Sequence, residues 1–569
     1  MIKNNHIGIY LDTTTESIIS DNTIQNNSYS GLKTSSSTNN TIQNNLFAEN
    51  CKESDWIDAA IYLESSHHNT ITQNDCLQNG YETEWGDSRY GWGIKLAYSN
   101  DNSISMNQIN NNFVGAISLQ SSTDTDIIDN DCSNNGGITT EGFRYGTGIE
   151  IEGSEKTLLE NNRIEHNSWY GLYILFSTDA VLSDNQLNDN YLNFHIEGFE
   201  DTEYVHTIDQ SNTINDKPIF YLTNISQEVI STEAGFIGII NGENITLKHM
   251  TLTDNGRGIL LINTTYSTIE NITAFNNSYG MYLLNSQKNS IHNCSVLNNS
   301  YAGIYLESSH NNTLASNEIE DHYELVAWDY EGTGVYLIGS NSNVIIETTF
   351  SDNYEASKIK YSEKNIITHC TFKNNTLGLD GSSENQITHN NMSESSISLR
   401  SSSDNNHLAN NTVVDGSIRL SSSCSYNIVE NNTLSGIGKG LDLYRSRNNQ
   451  LINNYIYNKN EAIYLNYQSR ENLIKDNILI QNNYGIYIYR WTSTSNHIYN
   501  NYFNNTNNAY SESNNNWNTT KTLGTNIIGG PYIGGNYWSD YTGEDLTGDG
   551  LGDENIPYDC DGEMGLGGD

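Results

Sequence analysis

Two stretches of this chain, 243 positions apart, are nearly identical. Residues Ala60–Asn74 read AIYLESSHHNTITQN, and residues Gly303–Asn317 read GIYLESSHNNTLASN. Self-similarity over such a distance is the signature of a repeat protein, in which every unit solves the same stacking problem. The repeated unit therefore decides the fold.

A small residue opens each unit, and several successive openings lie 22 or 23 residues apart. Between Gly334 and Gly440 the units are shorter, and between Phe194 and Phe236 the pattern is broken. The openings with regular wording are Gly8, Gly31, Ala60, Gly93, Ala116, Gly148, Gly171, Gly258, Gly280, Gly303, Gly334, Gly440, Ala462 and Gly485.

Apolar residues occupy offsets 1, 3, 11 and 16 of the unit, as Ile94, Leu96, Ile104 and Ile109 do after Gly93. The alternation at offsets 1 and 3 predicts a strand, and the five-residue step between the last two predicts a bend. Asn recurs at offsets 9, 14 and 19. Asn tolerates left-handed backbone and can stack into hydrogen-bonded ladders, so we expect it at the corners.

Three short strands and three corners per unit describe one coil of a parallel β-helix, an all-β fold of about 20 coils. We predict β-helix coils with long loops over residues 1–194 and an interruption at 195–235. Coils then continue over 236–510, and a Gly/Asp-rich cap segment follows at 511–569.

The wording I-Y-L followed by N-x-I-x-x-N-x-I-x-x-N resembles the right-handed parallel β-helix repeats of the NosD-like, carbohydrate-binding and sugar-hydrolysis (CASH) family, from Gly8 to about Asn508. Ser211–Asn224 (SNTINDKPIFYLTN) and Gly534–Asp559 (GGNYWSDYTGEDLTGDGLGDENIPYD) resemble archaeal surface-protein members. The resemblance implies a pectin-lyase-like solenoid. It leaves the activity open, because the family includes copper-delivery accessory proteins, surface proteins and relatives of polysaccharide lyases and epimerases.

The chain is strongly acidic, with 69 Asp and Glu against 26 Lys and Arg and a net charge of −43. This charge argues against nucleic acid or an anionic membrane surface as a partner. No run approaches the ~20 apolar residues of a membrane-spanning helix. The opening residues MIKNNHIGIYLD lack an apolar signal core, so we expect a fragment or a misassigned start. We predict an extracellular or cell-surface location from the resemblance to surface proteins and from the many Asn-x-Ser/Thr sequons.

Seven cysteines, an odd number, contain no CxxC pair. Cys76 and Cys132 share an offset but lie two coils apart, about 10 Å, which is too far for a disulfide. We expect most cysteines to be buried as small hydrophobic residues. Copper sites need clustered Met, His or Cys. Only His67 and His68 are adjacent, without a third ligand, so we do not expect copper.

Four units carry long insertions just before the next opening strand, at Glu49–Asp58, Gly80–Trp92, Gly136–Thr147 and Asp321–Thr333. Their aromatic rings could stack on sugar faces while charged groups bind hydroxyls. The alternative is that the rings only hold the loops against the solenoid. The predicted carbohydrate-binding residues are Trp56, Tyr62, Trp85, Arg89, Tyr90, Trp92, Arg144 and Tyr145.

Glu150 and Glu152 share the outer face of one strand, about 6.5–7 Å apart, near the carboxyl separation of inverting glycosidases. Lys95 lies about two coils, or ~10 Å, away in the same column. These three are candidate catalytic residues. A lyase or epimerase base could instead come from Lys95, Arg89, Arg144 or Tyr90. The alternative is an ordinary solvated acidic strand.

The stretch Asp545–Asp553 matches the first nine positions of an EF-hand-like calcium loop. The predicted ligands are Asp545, Thr547, Asp549, the carbonyl of Leu551, and Asp553. Ile556 stands where the bidentate acid of that loop belongs, so a plain acidic turn remains an alternative.

We therefore predict an extracellular or cell-surface protein that binds a polysaccharide or a glycoprotein glycan without cleaving it. Calcium is a possible ligand. The alternatives are a polysaccharide-active enzyme using Lys95, Glu150 and Glu152, a NosD-like copper-delivery accessory protein, and a spacer without a ligand.

Overall fold

A computed structural model describes the whole chain except residues 53–57, 83–88, 140–141, 327–328, 557, 559–560 and 563–569. Two compact units are formed. Unit 1 contains Met1–Ser267 and Ile272–Tyr282, and unit 2 contains Thr268–Asn271 and Leu283–Asp569. The domain boundaries given above stay predictions.

Each unit is a stack of coils, and each coil contributes one short strand to each of three parallel sheets. We call the layer of the opening strands face A, and the next two layers face B and face C. In unit 1 the first face A sheet ends at Leu192–Glu197, and Lys217–Thr223 begins a second one by pairing with Thr213–Ile214 of face C. A parallel β-helix is therefore confirmed. Almost no helix is present in the described chain, which has one 3₁₀ turn at Asp201–Tyr204.

The strands of unit 1 follow this order. Face A contains Ile9–Asp12, Leu32–Ser35, Ala59–Glu64, Trp92–Ala97, Gly115–Gln120, Thr147–Glu152, Tyr170–Leu175 and Leu192–Glu197, and later Lys217–Thr223, Phe236–Ile240, Arg257–Ile262 and Tyr279–Leu284. Face B contains Ile18–Ser20, Thr41–Gln43, Thr70–Thr72, Ser103–Ser105, Asp126–Ile128, Leu158–Glu160, Val181–Ser183, Thr207–Ile208, Val229–Ile230 and Thr246–Lys248. Face C contains Ile2–Lys3, Thr23–Gln25, Leu46–Ala48, Asp75–Leu77, Gln108–Asn110, Arg163–Glu165, Gln186–Asn188, Thr213–Ile214, Thr251–Thr253 and Thr273–Phe275.

The strands of unit 2 repeat the arrangement. Face A contains Ala302–Glu307, Thr333–Ile338, Glu355–Lys360, Thr376–Asp380, Ser396–Arg400, Ile418–Ser421, Lys439–Tyr444, Glu461–Asn466, Tyr484–Ile488, Asn507–Ser511 and Asp561–Gly562. Face B contains Thr268–Glu270, Ser290–His292, Thr313–Ala315, Val344–Ile346, Ile366–Thr368, Gln386–Thr388, His407–Ala409, Ile428–Glu430, Gln450–Ile452, Leu473–Lys475 and His497–Tyr499. Face C contains Ser295–Leu297, Glu318–Glu320, Thr349–Ser351, Thr371–Lys373, Asn391–Ser393, Thr412–Val414, Thr433–Ser435, Tyr455–Tyr457, Ile478–Ile480, Tyr502–Asn504 and Tyr537–Trp538.

Four antiparallel hairpins project from the coils. Three of them are insertions predicted from the sequence and end just before a face A strand. The hairpins are Tyr81–Glu82 with Arg89–Tyr90, Gly137–Ile138 with Arg144–Tyr145, Glu324–Val326 with Asp329–Glu331, and Thr522–Leu523 with Tyr532–Ile533.

The apolar offsets form the core. Ile94, Leu96, Ile104 and Ile109 are all fully buried, and the same offsets pair in register from coil to coil. Burial of stacked aliphatic rows is the main driving force of such a fold. The cysteines follow the prediction, because the six described ones are all free and buried (Cys51, Cys76, Cys132, Cys294, Cys370 and Cys424).

Buried Asn ladders line the corners. Asn107 accepts the backbone N–H of Asn74 at 2.9 Å and its amide at 3.1 Å. Its own amide donates to the carbonyl of Ile71 at 3.0 Å and to Asn130 at 2.9 Å. The ladder was predicted correctly, but the backbone conformation was not. At most corners the left-handed residue is the one before the ladder Asn, such as Met106 with φ 55°.

Two ladders end in the same way. In unit 1, Asn190 donates its backbone N–H to the side chain of Asn193, three residues later, at 3.2 Å. In unit 2, Asn505 donates to Asn508, also three residues later, at 2.9 Å. Asn193 and Asn508 occupy the place of the small opening residue, so each fills the position that the next coil's ladder Asn would take.

We expect Asn107→Ala to destabilise unit 1 by about 2–3 kcal/mol, because buried backbone and amide groups lose their partners. Urea unfolding measures the change. The control is Asn391→Ala, because Asn391 is exposed on its strand and should change stability by less than about 0.5 kcal/mol. Equal effects at the two positions would contradict a structural role for the ladder.

The break in the repeat is a local rearrangement. The face A strand Leu192–Glu197 is followed by the 3₁₀ turn Asp201–Tyr204. Lys217–Thr223 then runs antiparallel to Thr213–Ile214 before pairing with Phe236–Ile240. The chain also returns to the earlier strand, since Gly256 donates its N–H to the carbonyl of Phe194.

Candidate functional site

The outer side of face A in unit 1 carries one continuous column of side chains, which we call the face A row. Strand register places these residues side by side along the sheet. From N- to C-terminus they are Tyr10, Lys33, Tyr62, Lys95, Ser118, Glu150, Tyr173 and His195. The structure thus brings the catalytic candidates Lys95 and Glu150 onto one surface, with the strand of Ser118 between their two strands.

Glu150 lies in a poorly solvated position although it faces away from the core. Burial, together with the charge of Glu152, raises the pKa of Glu150 to about 7, against the opposing effects of Lys95 and a hydrogen bond from Ser118. The Ser118 hydroxyl donates to Glu150 Oε1 at 3.3 Å, and Gln120 donates to Glu152 Oε2 at 3.5 Å. A carboxyl that titrates near neutral pH can serve as a hydrogen-bond donor or a general acid.

Lys95 is the cation of this part of the row. Burial lowers the pKa of Lys95, while the carboxylates of Glu150, Glu152 and Asp58 oppose that shift. Lys33, further along the row, is paired with Glu64 at 3.1 Å and lies 4.9 Å from the centre of the Tyr62 ring. The first four residues of the row, from Tyr10 to Lys95, therefore alternate aromatic and cationic groups.

The C-terminal end of the row holds a polar cluster that sequence analysis missed. Tyr173 donates to Glu197 Oε2 at 3.2 Å, and His195 Nε2 lies 3.5 Å from the same oxygen. The contact with His195 is the main cause that lowers the pKa of Glu197 to about 2. Burial lowers the pKa of His195 to about 4, so its imidazole is neutral at pH 7.

Arg257 lies next to this cluster, and its positive charge acts on both His195 and Glu197. It is 3% exposed, and its guanidinium lies 4.0 Å from the centre of the Tyr282 ring. It also donates to the carbonyl of Ile196, which ties two strands 61 residues apart. The signal that could have found the cluster is the alternation Phe194, His195, Ile196, which keeps the unit's wording after Asn193 takes the small residue's place.

Aromatic residues border the row at its C-terminal half. Tyr170 stacks on Tyr173 with ring centres 4.5 Å apart, and Trp169 lies 4.7 Å from Tyr170. Trp169 and Tyr173 are half-exposed. Half-exposed rings beside carboxyl groups present both an apolar face and hydrogen-bond acceptors to a ligand.

The predicted carbohydrate-binding residues fall into three groups. Tyr62, Trp92 and Tyr145 are buried, and the Trp92 ring lies against Gly115, so these rings pack within the protein. Arg144 lies over the Tyr191 ring at 3.9 Å, and Arg89–Tyr90 form a hairpin strand. Trp56 and Trp85 lie outside the described residues. Sugar binding by these residues stays a prediction.

In the acidic turn at Asp545–Asp553, the Asp side chains accept hydrogen bonds from backbone N–H groups of the same turn. Asp545 accepts N–H groups from Gly548 at 2.7 Å, Asp549 at 3.2 Å and Gly550 at 2.7 Å. Asp553 accepts the N–H of Thr547, Asp549 accepts that of Leu551, and Lys521 pairs with Asp549. The carboxylates thus have partners without a metal, and a calcium ion would have to displace the Lys521 ammonium.

Calcium binding at this turn stays a prediction with a direct test. We expect calcium to raise the thermal stability of the cap segment, by about 2.7 kcal/mol at one hundred times the dissociation constant. The measurement is thermal unfolding with calcium and with a chelator. Asp545→Asn should remove the shift, whereas Asp21→Asn, at an exposed corner, should keep it. Identical melting curves in calcium and chelator would disprove the site.

The sequence matches the profiles of known protein families. The profile of the family described as periplasmic copper-binding protein (NosD) matches residues 88–224, 221–329, 325–405 and 379–543. The chain belongs to the NosD family. A right-handed β-helix profile also matches residues 1–144 of this NosD-family chain. The predicted family and right-handed β-helix are confirmed.

Several solved structures are similar to this chain. An alginate lyase from Paenibacillus sp. str. FPU-7 is 13% identical, with a TM-score of 0.23, over 42% of this chain and 91% of the lyase. A tailspike mutant of E. coli bacteriophage HK620, in complex with a pentasaccharide, is 9% identical, with a TM-score of 0.31, over 78% and 71%. The A-module of an Azotobacter vinelandii mannuronan C-5 epimerase is 13% identical, with a TM-score of 0.21, over 68% and 88%. Similarity at this level carries no argument about function.

No curated protein matches the NosD-family chain. Within the described residues, no helix is both long and apolar enough to cross a membrane.

The described residues of this NosD-family chain do not fit a copper site. Among them, the one close group of three ionisable ligands is Glu320, Asp321 and Asp352, which offers only carboxylate oxygens. Copper prefers imidazole and sulfur ligands. His369 and His389 stack with ring centres 5.1 Å apart, but that pair has no third ligand among the described ionisable groups.

Proposed function

We propose that the face A row of unit 1 binds a polysaccharide chain. The observation that carries the proposal is the row itself, in which half-buried Lys95 and Glu150 share a column with the half-exposed ring of Tyr173, and Trp169 lies at the edge of that ring. The row crosses eight neighbouring strands, which suits an extended polymer more than a compact ligand. The NosD family's periplasmic description supports an exported location.

Acid–base catalysis at the same row is the second candidate. It is favoured by Glu150, whose pKa is raised to about 7 by burial while Lys95 lies nearby. Two neighbouring carboxyl groups in different environments can divide the roles of acid and base. Size analysis of polysaccharides before and after incubation separates the candidates, because shortened chains require cleavage and unchanged chains do not.

We expect Trp169→Ala to weaken polysaccharide binding about tenfold, because the ring offers an apolar face beside the row and a buried aromatic anchor contributes about 1–2 kcal/mol. Affinity electrophoresis against a panel of polysaccharides measures the retention. The matched control is Trp491→Ala, since Trp491 is 78% exposed and lies in unit 2. Equal loss in the two variants, or retention unchanged by Trp169→Ala, would place binding elsewhere.

A further inference from the structure

The charge balance of the face A row is unfavourable for an acidic polymer. The row itself contains Glu150, and the carboxyl groups of Glu64, Glu152 and Glu197 lie in the neighbouring outer column, two residues further along their strands. The described strands oppose them with two lysines, and one of these, Lys33, is already paired with Glu64 at 3.1 Å. Lys95 is left to face the carboxyl groups of Glu150, Glu152 and Asp58.

Other nearby cations do not correct this balance. Arg257 is 3% exposed and is bonded to the carbonyl of Ile196, so it cannot reach a ligand. Arg144 is held over the Tyr191 ring at 3.9 Å. His195 is buried and neutral at pH 7, because burial lowers its pKa to about 4.

A uronate chain would bring a carboxylate on every sugar and would need a cation for each. In a partly buried site, like charges repel strongly and salt screens them poorly. A chain of hydroxyl groups has no such cost. Carboxylates accept hydrogen bonds from hydroxyls, and the rings of Tyr173 and Trp169 can pack against sugar faces.

We propose that the face A row selects an uncharged polysaccharide, one without carboxylate, sulfate or phosphate groups. This inference rests on the proposed function and narrows it to one ligand class. Glu150 and Glu152 are the specificity-determining residues, since they place two carboxyl groups on one strand, between Lys95 and the ring of Tyr173.

The test compares neutral polysaccharides (a glucan, a mannan, a galactan and a xylan) with polygalacturonate and alginate. Binding of the full chain is measured by affinity electrophoresis at low and high salt. The test variant is the double change Glu150→Gln and Glu152→Gln. The control is Glu155→Gln with Glu160→Gln, which removes the same charge from exposed positions of the same coil, off the row.

We expect at least one neutral polymer to be retained at both salt concentrations and the uronates to bind at least tenfold more weakly at low salt. The test variant should raise uronate affinity about tenfold. The control variant should have the uronate affinity of the wild type. Uronate binding equal to or stronger than neutral binding at low salt would overturn the inference and keep the proposed function. No retention of any polymer would overturn both.

Discussion

Arg257→Met should lower the stability of unit 1 by about 2–4 kcal/mol, because it strips partners from groups that stay buried. The carbonyl of Ile196 loses its donor, and the rings of Tyr204 and Tyr282 lose the cation they surround. Glu197 loses the positive charge that helps to keep it ionised. Urea unfolding measures the loss, and hydrogen exchange at Leu192–Glu197 should locate it.

Arg490→Met is the matched control for this experiment. Arg490 also lies over a ring, 4.2 Å from the centre of Tyr467, but it is exposed in unit 2. Exposed pairs of this kind contribute little, so we expect a change below about 0.5 kcal/mol. A stable Arg257→Met protein with unchanged exchange at Leu192–Glu197 would show that the two segments are held together without the guanidinium, by packing and by backbone bonds such as that from Gly256 to Phe194.

Acid should destabilise the fold through its buried histidines, and His322 gives the cleanest case. His322 replaces a ladder Asn, because its Nδ1 accepts the N–H of Asn299 at 3.0 Å. Burial lowers the pKa of His322 to about 3. The unfolded chain takes up the proton near pH 6.5 and the folded chain does not, so stability falls as the pH drops below 6.5. The loss at this one site is about 3 kcal/mol by pH 4.

His322→Asn removes the titrating group and restores the amide used in the rest of the ladder. We expect it to match the wild type within about 1 kcal/mol at pH 7 and to be more stable at pH 4. His369→Asn is the control, since His369 is exposed, and its variant should follow the wild-type pH curve. Parallel curves for wild type and His322→Asn would contradict a buried neutral imidazole. His195 and His206 predict the same trend in unit 1, because burial lowers the pKa of each to about 4.

Local periodicity was sufficient to predict the strands, the core rows and the insertions that form three of the four hairpins. It also placed Lys95 and Glu150 in one column, because a column in this fold is simply a shared offset. The cluster around His195 could not be predicted in the same way. Its key contact joins Arg257 to Ile196 across 61 residues and an interruption of the repeat. Equal spacing along the sequence cannot show which residues pair across such a break.

The corners show a second limit of the sequence pattern. Asn is common both at the ladder position and at the left-handed position before it, as in Asn39–Asn40. The two neighbours do different work, and composition alone cannot assign the roles. Only the hydrogen bonds show that the second Asn carries the ladder while the first turns the chain.

The ladder ends at Asn193 and Asn508 bear on how a repetitive protein determines its length. A stack of equivalent coils has no built-in stopping point, and its last coil offers acceptors and donors to any further copy. Here an Asn three residues downstream occupies the place of the absent neighbour. Coils can therefore be gained or lost within a stack by duplication or deletion of whole repeats, while a buried Asn at the end of a ladder satisfies the last ladder amide without a partner from the next coil.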